Sequence, residues 1–192
     1  MKNILIINGH PDKKSFSYSL AESYKKGADT NGDECRLVHL IDLKFNPILT
    51  YGYRLVSELE PDLVKMQEYI LKADHFVFVY PNWWATCPAL LKGFFDRVFL
   101  PNFAFKYHEK DKLWDKLLTG KTARLIVTMD TPQWYYKLFY KSSGHHAMKT
   151  GILGFCGIKP VEITVCSPMK SSSDMKRKKW LKKAEDLGRN QQ

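Results

Sequence analysis

Long apolar runs are missing from this chain. The longest buried-looking stretch, His75–Pro81, falls far short of the roughly 18–20 residues that cross a bilayer, so no spanning helix is expected. Cysteine is scarce. The four residues, Cys35, Cys87, Cys156 and Cys166, show no CxxC spacing, which supports neither a zinc site nor a disulfide framework and leaves buried free thiols as the expectation. The glycines form neither GxGxxG nor a P-loop, so neither a dinucleotide fingerprint nor an NTPase is supported. The first strand ends in Asn8-Gly9-His10, without the acidic cluster that a phosphoacceptor of the receiver type requires. No repeat, low-complexity tract or linker interrupts residues 1–192, and one domain is the simplest account. Met1-Lys2-Asn3 leads at once into a short strand-like run. A longer apolar segment and a small-residue cleavage site would mark a signal peptide, so a soluble cytoplasmic protein is expected.

Hydrophobic residues make up 44% of the chain, enough for a proper core. The formal net charge of +10 draws much of its excess from Lys176-Arg177-Lys178-Lys179 and Lys182-Lys183. Trp180, Leu181, Ala184 and Leu187 lie between these residues at helical spacing, which reads as a docked terminal helix with a solvated basic face rather than a nucleic-acid site.

The periodicity predicts strands at residues 4–7, 35–40, 75–80, 122–128 and 161–165. It predicts helices at 15–28, 61–73, 88–99, 145–155 and 174–187. Leu63, Met66, Ile70 and Leu71 are expected inward on the second helix. Alternating strands and helices argue for an α/β sandwich, a parallel sheet covered on both faces. Two long loops, 41–60 and 101–121, carry Phe45, Pro47, Tyr51 and Tyr53, and Phe103, Phe105, Tyr107 and Trp114. Such aromatic-rich loops are expected to pack against something, and a homodimer is the expectation drawn from them.

Ligands of open parallel sheets bind beyond the carboxyl ends of the strands. Three loops leave strand ends with unusual content. The first, Gly9-His10-Pro11-Asp12-Lys13-Lys14-Ser15-Phe16-Ser17, precedes a helix whose free N–H groups favour an anion, with His10, the lysines and the serine hydroxyls in support. Simple capping by Ser15 explains the same residues. The second, Pro81-Asn82-Trp83-Trp84-Ala85-Thr86-Cys87-Pro88, sets two indoles between prolines and offers a flat apolar wall. Burial of that loop by its own aromatics or by a partner is the other reading. The third runs from Thr128 through Met129-Asp130-Thr131-Pro132 to Tyr136. A phosphate loop beside a planar-ring loop favours a mononucleotide with a flat ring, and FMN is the obvious candidate, with FAD as the alternative.

Residues 80–105, YPNWWATCPALLKGFFDRVFLPNFAF, resemble the signature of the NAD(P)H:quinone oxidoreductase family of flavodoxin-like flavoproteins. Gly9-His10-Pro11, Ser15-Phe16-Ser17 and the late run Gly151-Ile152-Leu153-Gly154-Phe155-Cys156-Gly157 match in order, so the resemblance covers nearly the whole chain. It implies a flavodoxin-like parallel sheet of order 2-1-3-4-5 and two-electron, ping-pong hydride transfer from NAD(P)H through the flavin to quinone-like, nitroaromatic or azo acceptors. It implies that His10, Ser15, Phe16 and Ser17 hold the flavin phosphate. Pro81, Asn82, Trp83, Trp84 and Ala85 would line the ring, and Thr128 with the residues that follow it would close the pyrimidine and ribityl side. Phe105 and Tyr107 match aromatics that cap the substrate pocket from the partner subunit, although local loop packing would explain them equally.

Departures stand beside the match. Met129-Asp130 replaces the Gly-Gly turn of many members. Tyr135 and Tyr136 fit the tyrosine that assists hydride transfer in some relatives, whereas His145 and His146 do not align with the accompanying histidine. No metal site is expected. The resemblance also implies a second reading, a regulatory flavoprotein subunit on the cytoplasmic side of a potassium efflux antiporter, where the basic last helix would face an acidic partner or an anionic membrane surface.

Overall fold

A computed structural model describes residues 1–55 and 58–191. Val56 and Ser57, within the long loop at 41–60, and Gln192 lie outside the described residues. In chain order the elements are β1 (Asn3–Asn8), α1 (Phe16–Asp29), β2 (Glu34–His39), α2 (Pro61–Lys72), β3 (His75–Pro81), α3 (Ala89–Val98), β4 (Phe105–Tyr107), β5 (Trp114–Lys116), β6 (Thr122–Thr128), α4 (Gln133–Phe139), α5 (Ser143–His146), β7 (Val161–Cys166) and α6 (Asp174–Arg189). A π-helical stretch, Ala147–Gly154, continues α5.

The main sheet has the order β2-β1-β3-β6-β7, all pairs parallel. This is the expected 2-1-3-4-5 once the antiparallel β4–β5 hairpin is set apart. Alternation along the strands builds two cores, because successive side chains point to opposite faces. Ile4 and Ile6 of β1 join Leu20, Ala21, Tyr24, Ala184 and Leu187 of α1 and α6 on one face. Leu5 and Ile7 join Leu63, Met66, Ile70, Leu91, Phe94 and Val98 of α2 and α3 on the other. Every residue of β3 is buried, as a central strand covered on both faces requires.

The terminal helix docks as its apolar spacing predicts, with Ala184 and Leu187 buried and Trp180 and Leu181 packed at the margin. Its approach to α1 is very close. A Cβ added at Gly27 would lie 1.8 Å from the Glu185 carbonyl oxygen, and one at Gly188 2.1 Å from the Tyr24 oxygen. The cysteines are free, with Cys35 half-buried and the other three buried. Burial pushes the thiols of Cys35, Cys156 and Cys166 up to about 12.

The structure corrects several expectations. Leu71 is exposed, because the inward stripe of α2 runs through Leu63, Met66 and Ile70 and Leu71 sits about 100° further round. The 101–121 loop contains the β4–β5 hairpin. The segment after β6 is not a loop to Tyr136 but becomes α4, which starts directly after Pro132. The helix expected at 145–155 starts at Ser143 and changes to π geometry at Ala147. Phe45, Phe103 and Trp114 pack against the core as expected, whereas Tyr51, Tyr53 and Tyr107 face solvent in the single chain. Arg97 ties down the 41–60 loop. Its buried guanidinium donates to the carbonyls of Asn46 (2.5 Å) and Glu58 (3.2 Å) and pairs with Glu60 (2.9 Å).

Candidate functional site

The carboxyl ends of β1, β3 and β6 enclose a cavity of about 380 Å³, a size typical of small-molecule sites, which run from about 300 Å³ upward. His10, Ser15, Phe16 and Ser17 line it from the first loop, Pro81, Asn82 and Trp83 from the second, and Thr128 from the end of β6. These are eight of the ten residues expected to bind a cofactor. Trp84 and Ala85 do not line the cavity.

The sheet ladder continues into these loops and fixes their positions. The Gly9 N–H donates to the Val79 carbonyl (2.9 Å) and the Asn82 N–H to the Thr128 carbonyl (2.7 Å). The Ser17 and Thr128 hydroxyls meet at 3.3 Å across the cavity floor. Ser15 caps α1, its Oγ accepting from the Tyr18 N–H at 3.3 Å, so capping and anion binding share one residue. The N–H groups of Phe16 and Ser17, in the first helical turn, have no intrahelical acceptor and are available to an anion.

His10 is set as a donor. The buried side chain of Asn8 accepts from the His10 N–H (3.2 Å), and His10 Nδ1 accepts from the Asp12 N–H (2.9 Å). The proton of the neutral ring is therefore assigned to Nε2. Burial lowers the His10 pKa, against a smaller raising effect of Asp12. The ring stands edge-on to Trp83 at 5.4 Å.

The expected lysine contribution is corrected. Lys13 pairs with Asp42, Lys14 is exposed, and neither lines the cavity, whose ionisable members are His10, Asp12 and Asp130. A phosphate would thus be held by helix N–H groups, hydroxyls and His10 rather than by ammonium groups.

The far wall is made by Met129, Asp130 and Thr131, from the third loop picked out in the sequence, and by Met169, which sequence reasoning missed. Met129 is buried and takes the Asn82 amide on its sulfur (3.6 Å). Asp130 accepts from the Lys170 N–H (2.7 Å), and the Thr131 carbonyl accepts from the Ser167 hydroxyl (2.6 Å). Met169 comes from the loop after β7. The rule that ligands sit at strand ends pointed to that loop too, but its Ser167-Pro168-Met169 content carries no chemical signature.

Residues 83–86 form a closed turn, with Trp83 and Thr86 exchanging N–H···O bonds of 2.9 Å each. Trp84 (φ +52°) and Ala85 (φ +61°) are both left-handed, a strain of roughly 1–3 kcal/mol apiece for residues with a Cβ. Trp84 is 99% exposed and Trp83 44%, so the loop is not buried by its own aromatics.

The other candidates scatter. Tyr136 is buried and its hydroxyl is engaged twice, donating to the Ala85 carbonyl (3.1 Å) and accepting from the Gly144 N–H (2.9 Å). Its hydroxyl proton is thus committed to the Ala85 carbonyl, and the residue does not line the cavity. Tyr135 stacks on Phe139 at 4.3 Å on the α4 surface. His145 is buried with its pKa lowered by burial, and His146 is exposed. Phe105 is buried in its own chain against Phe155 (5.0 Å) and Tyr107 (5.2 Å). With Tyr107, Tyr53 and Phe99 it lines a second cavity of about 210 Å³.

The profile of the family described as Flavodoxin-like fold matches residues 2–188. An uncharacterized NAD(P)H oxidoreductase of Haemophilus influenzae is 30% identical over 187 residues, 95% of this chain and 92% of its own. An FMN-dependent NADH:quinone oxidoreductase of Macrococcus caseolyticus is 30% identical over 222 residues, 98% of this chain and 99% of its own. The solved NAD(P)H:quinone oxidoreductase from Methanothermobacter marburgensis superposes with a TM-score of 0.84 at 26% identity, covering 100% of this chain and 99% of that one.

Proposed function

The chain belongs to the flavodoxin-like fold family, and from that premise we propose that it is an FMN-dependent NAD(P)H oxidoreductase that reduces quinone or azo acceptors. One observation carries the reading: the cavity joins a helix N-terminus suited to phosphate to a Trp-bearing turn suited to a planar ring. FMN, when bound, supplies the site that takes a hydride from NAD(P)H and returns it to the acceptor.

The residues divide the work. The N–H groups of Phe16 and Ser17, the Ser15 hydroxyl and His10 Nε2–H would bind the phosphate. Pro81, Asn82 and Trp83 would line the ring inside the cavity, the exposed Trp84 indole would cover the part of the ring that extends past the turn, and Thr128 would lie along the ribityl chain. The N–H groups of Trp84 and Ala85 are not used within the turn and would serve the polar edge of the ring, where charge develops on reduction. Asp12 and Asp130 bring negative charge to the cavity, which disfavours additional anionic groups there.

A homodimer belongs to the same proposal. Tyr51, Tyr53 and Tyr107, and Trp134, Leu138 and Phe139 on α4, are large apolar side chains left exposed in the single chain, and a second copy would cover part of them. A second copy would bring Phe105 and Tyr107 toward the site. The four free thiols support a reducing compartment such as the cytoplasm.

Trp84→Ala tests the ring placement. The indole touches almost nothing in the single chain, so the apoprotein melting temperature should not move, as for ordinary surface substitutions. The FMN dissociation constant should rise by a factor corresponding to about 2 kcal/mol, in line with aromatic stacking on planar bases. Unchanged FMN affinity would show that the ring lies elsewhere. Steady-state initial rates with NADH or NADPH and a quinone should give parallel double-reciprocal lines, the pattern of one site serving two partners in turn.

A further inference from the structure

The turn that carries Trp84 and Ala85 adopts a backbone that residues with a Cβ disfavour. Its internal Trp83–Thr86 bonds leave the Ala85 carbonyl unused within the turn, and that oxygen is held from outside. Tyr136 Oη donates to it at 3.1 Å and Ser143 Oγ at 3.5 Å. The Gly144 N–H, at the start of α5, donates to the same Tyr136 oxygen at 2.9 Å. Gly144 comes so near that a Cβ there would lie 2.2 Å from the Ala85 oxygen and 2.9 Å from Thr86 Cα. The Tyr136 ring is itself fixed, edge-on to His145 at 4.9 Å and stacked near Tyr140 at 5.9 Å. Two helices outside the sheet thus brace one strained turn, α4 through the shorter bond from the Tyr136 hydroxyl and α5 through the longer one from Ser143 and the Gly144 N–H on Tyr136.

We propose that Tyr136 is a positioning residue of the flavin site: its hydroxyl anchors the Ala85 carbonyl and so keeps the Trp84 and Ala85 peptides in the left-handed turn that presents their N–H groups to the ring edge. The inference rests on the flavin reading above. Tyr136 acts through the turn and takes no part in proton transfer, because its hydroxyl already donates and accepts within the protein.

Glycine adopts a left-handed backbone without strain, so Ala85→Gly relieves one of the two strained residues of the turn and lessens its need for the brace. The test compares FMN dissociation constants and the pH profile of kcat for the wild type, Tyr136→Phe, Ala85→Gly and the double variant. Tyr136→Phe should bind FMN about tenfold more weakly, the loss of one hydrogen bond, with the shape of the kcat profile unchanged. The double variant should recover to within about threefold of wild type on the same scale. A merely structural tyrosine would give no rescue by Ala85→Gly, and that result overturns the proposal. So does wild-type affinity in Tyr136→Phe, or the loss of one limb of its pH profile, which would make Tyr136 a proton donor. If circular dichroism shows Tyr136→Phe unfolded, Gly144→Ala replaces it, since its Cβ would lie 2.2 Å from the Ala85 oxygen and 2.9 Å from the Tyr136 hydroxyl and so breaks the bond between them. It should weaken FMN binding in the same direction, and wild-type affinity in that variant overturns the proposal. A wild type that binds no FMN defeats the flavin reading and this inference together, an outcome distinct from a wild type that binds and a variant that is unaffected.

Discussion

Gly27→Ala is expected to destabilise the protein by about 3 kcal/mol or more, the upper end of overpacking effects. The added Cβ would lie 1.8 Å from the Glu185 oxygen, 2.7 Å from its carbonyl carbon and 2.9 Å from the Arg189 nitrogen. All three are backbone atoms of α6, so no side chain can turn aside and the helices must part. Alanine gains about 1 kcal/mol of helix propensity over glycine, too little to offset the separation. The loss should reach the site, because α1 begins at the phosphate loop and its far end carries Gly27. Chemical denaturation of the apoprotein checks the figure, and a melting temperature lowered by roughly 6–12 °C is the thermal equivalent for a chain of this size. A stabilised variant would mean that α1 and α6 do not approach as described.

The second large effect depends on pH. His75 opens the central strand β3, buried, with Nδ1 at 2.6 Å from the Thr122 hydroxyl and Nε2 without a partner among the described residues. Burial, helped by Lys2 and Arg124, lowers its pKa from 6.5 to about 4. The folded protein therefore refuses a proton that the unfolded chain accepts between these values. Stability contributed by the neutral ring is fully present above pH 6.5 and is lost as pH falls toward 4, by about 3 kcal/mol in all. His75→Asn keeps a polar group beside Thr122 with nothing to titrate. Denaturant unfolding at pH 7 and pH 4 should show a drop for wild type that is larger than the variant's by about this amount. Equal drops would place the titration elsewhere. His145, shifted in the same direction by burial, adds to the slope of both proteins.

The strand runs at the sheet centre were legible because β1, β3 and β6 are almost continuous apolar segments. Their order then placed the loops that form the cavity. The sequence also marked His10, Ser15, Ser17 and Trp83, which carry chemistry in their types. It marked Met129 only as part of the loop after β6 and did not mark Met169, whose place at the site depends on the pairing of β6 with β7. The lysines of the first loop misled, because Asp42, far along the chain, takes Lys13. Tyr136 illustrates the same limit. A tyrosine near a cofactor loop suggests catalysis, but only the placement of Ala85 and Gly144 on either side of its hydroxyl shows the role. The contact of Gly27 with α6 was equally invisible, since helical spacing reveals an apolar face and not the distance to the helix that covers it.

The central claim is that the cavity beyond β1, β3 and β6 holds FMN and works by hydride transfer. Anaerobic titration of the apoprotein with FMN tests it most directly, followed by one equivalent of NADH or NADPH and then a quinone. The account predicts saturation at one FMN per chain, bleaching of the yellow absorbance by the nicotinamide donor and its full return on adding quinone. A chain that gains no flavin absorbance, or whose bound FMN is neither bleached by either donor nor restored by the quinone, would contradict it.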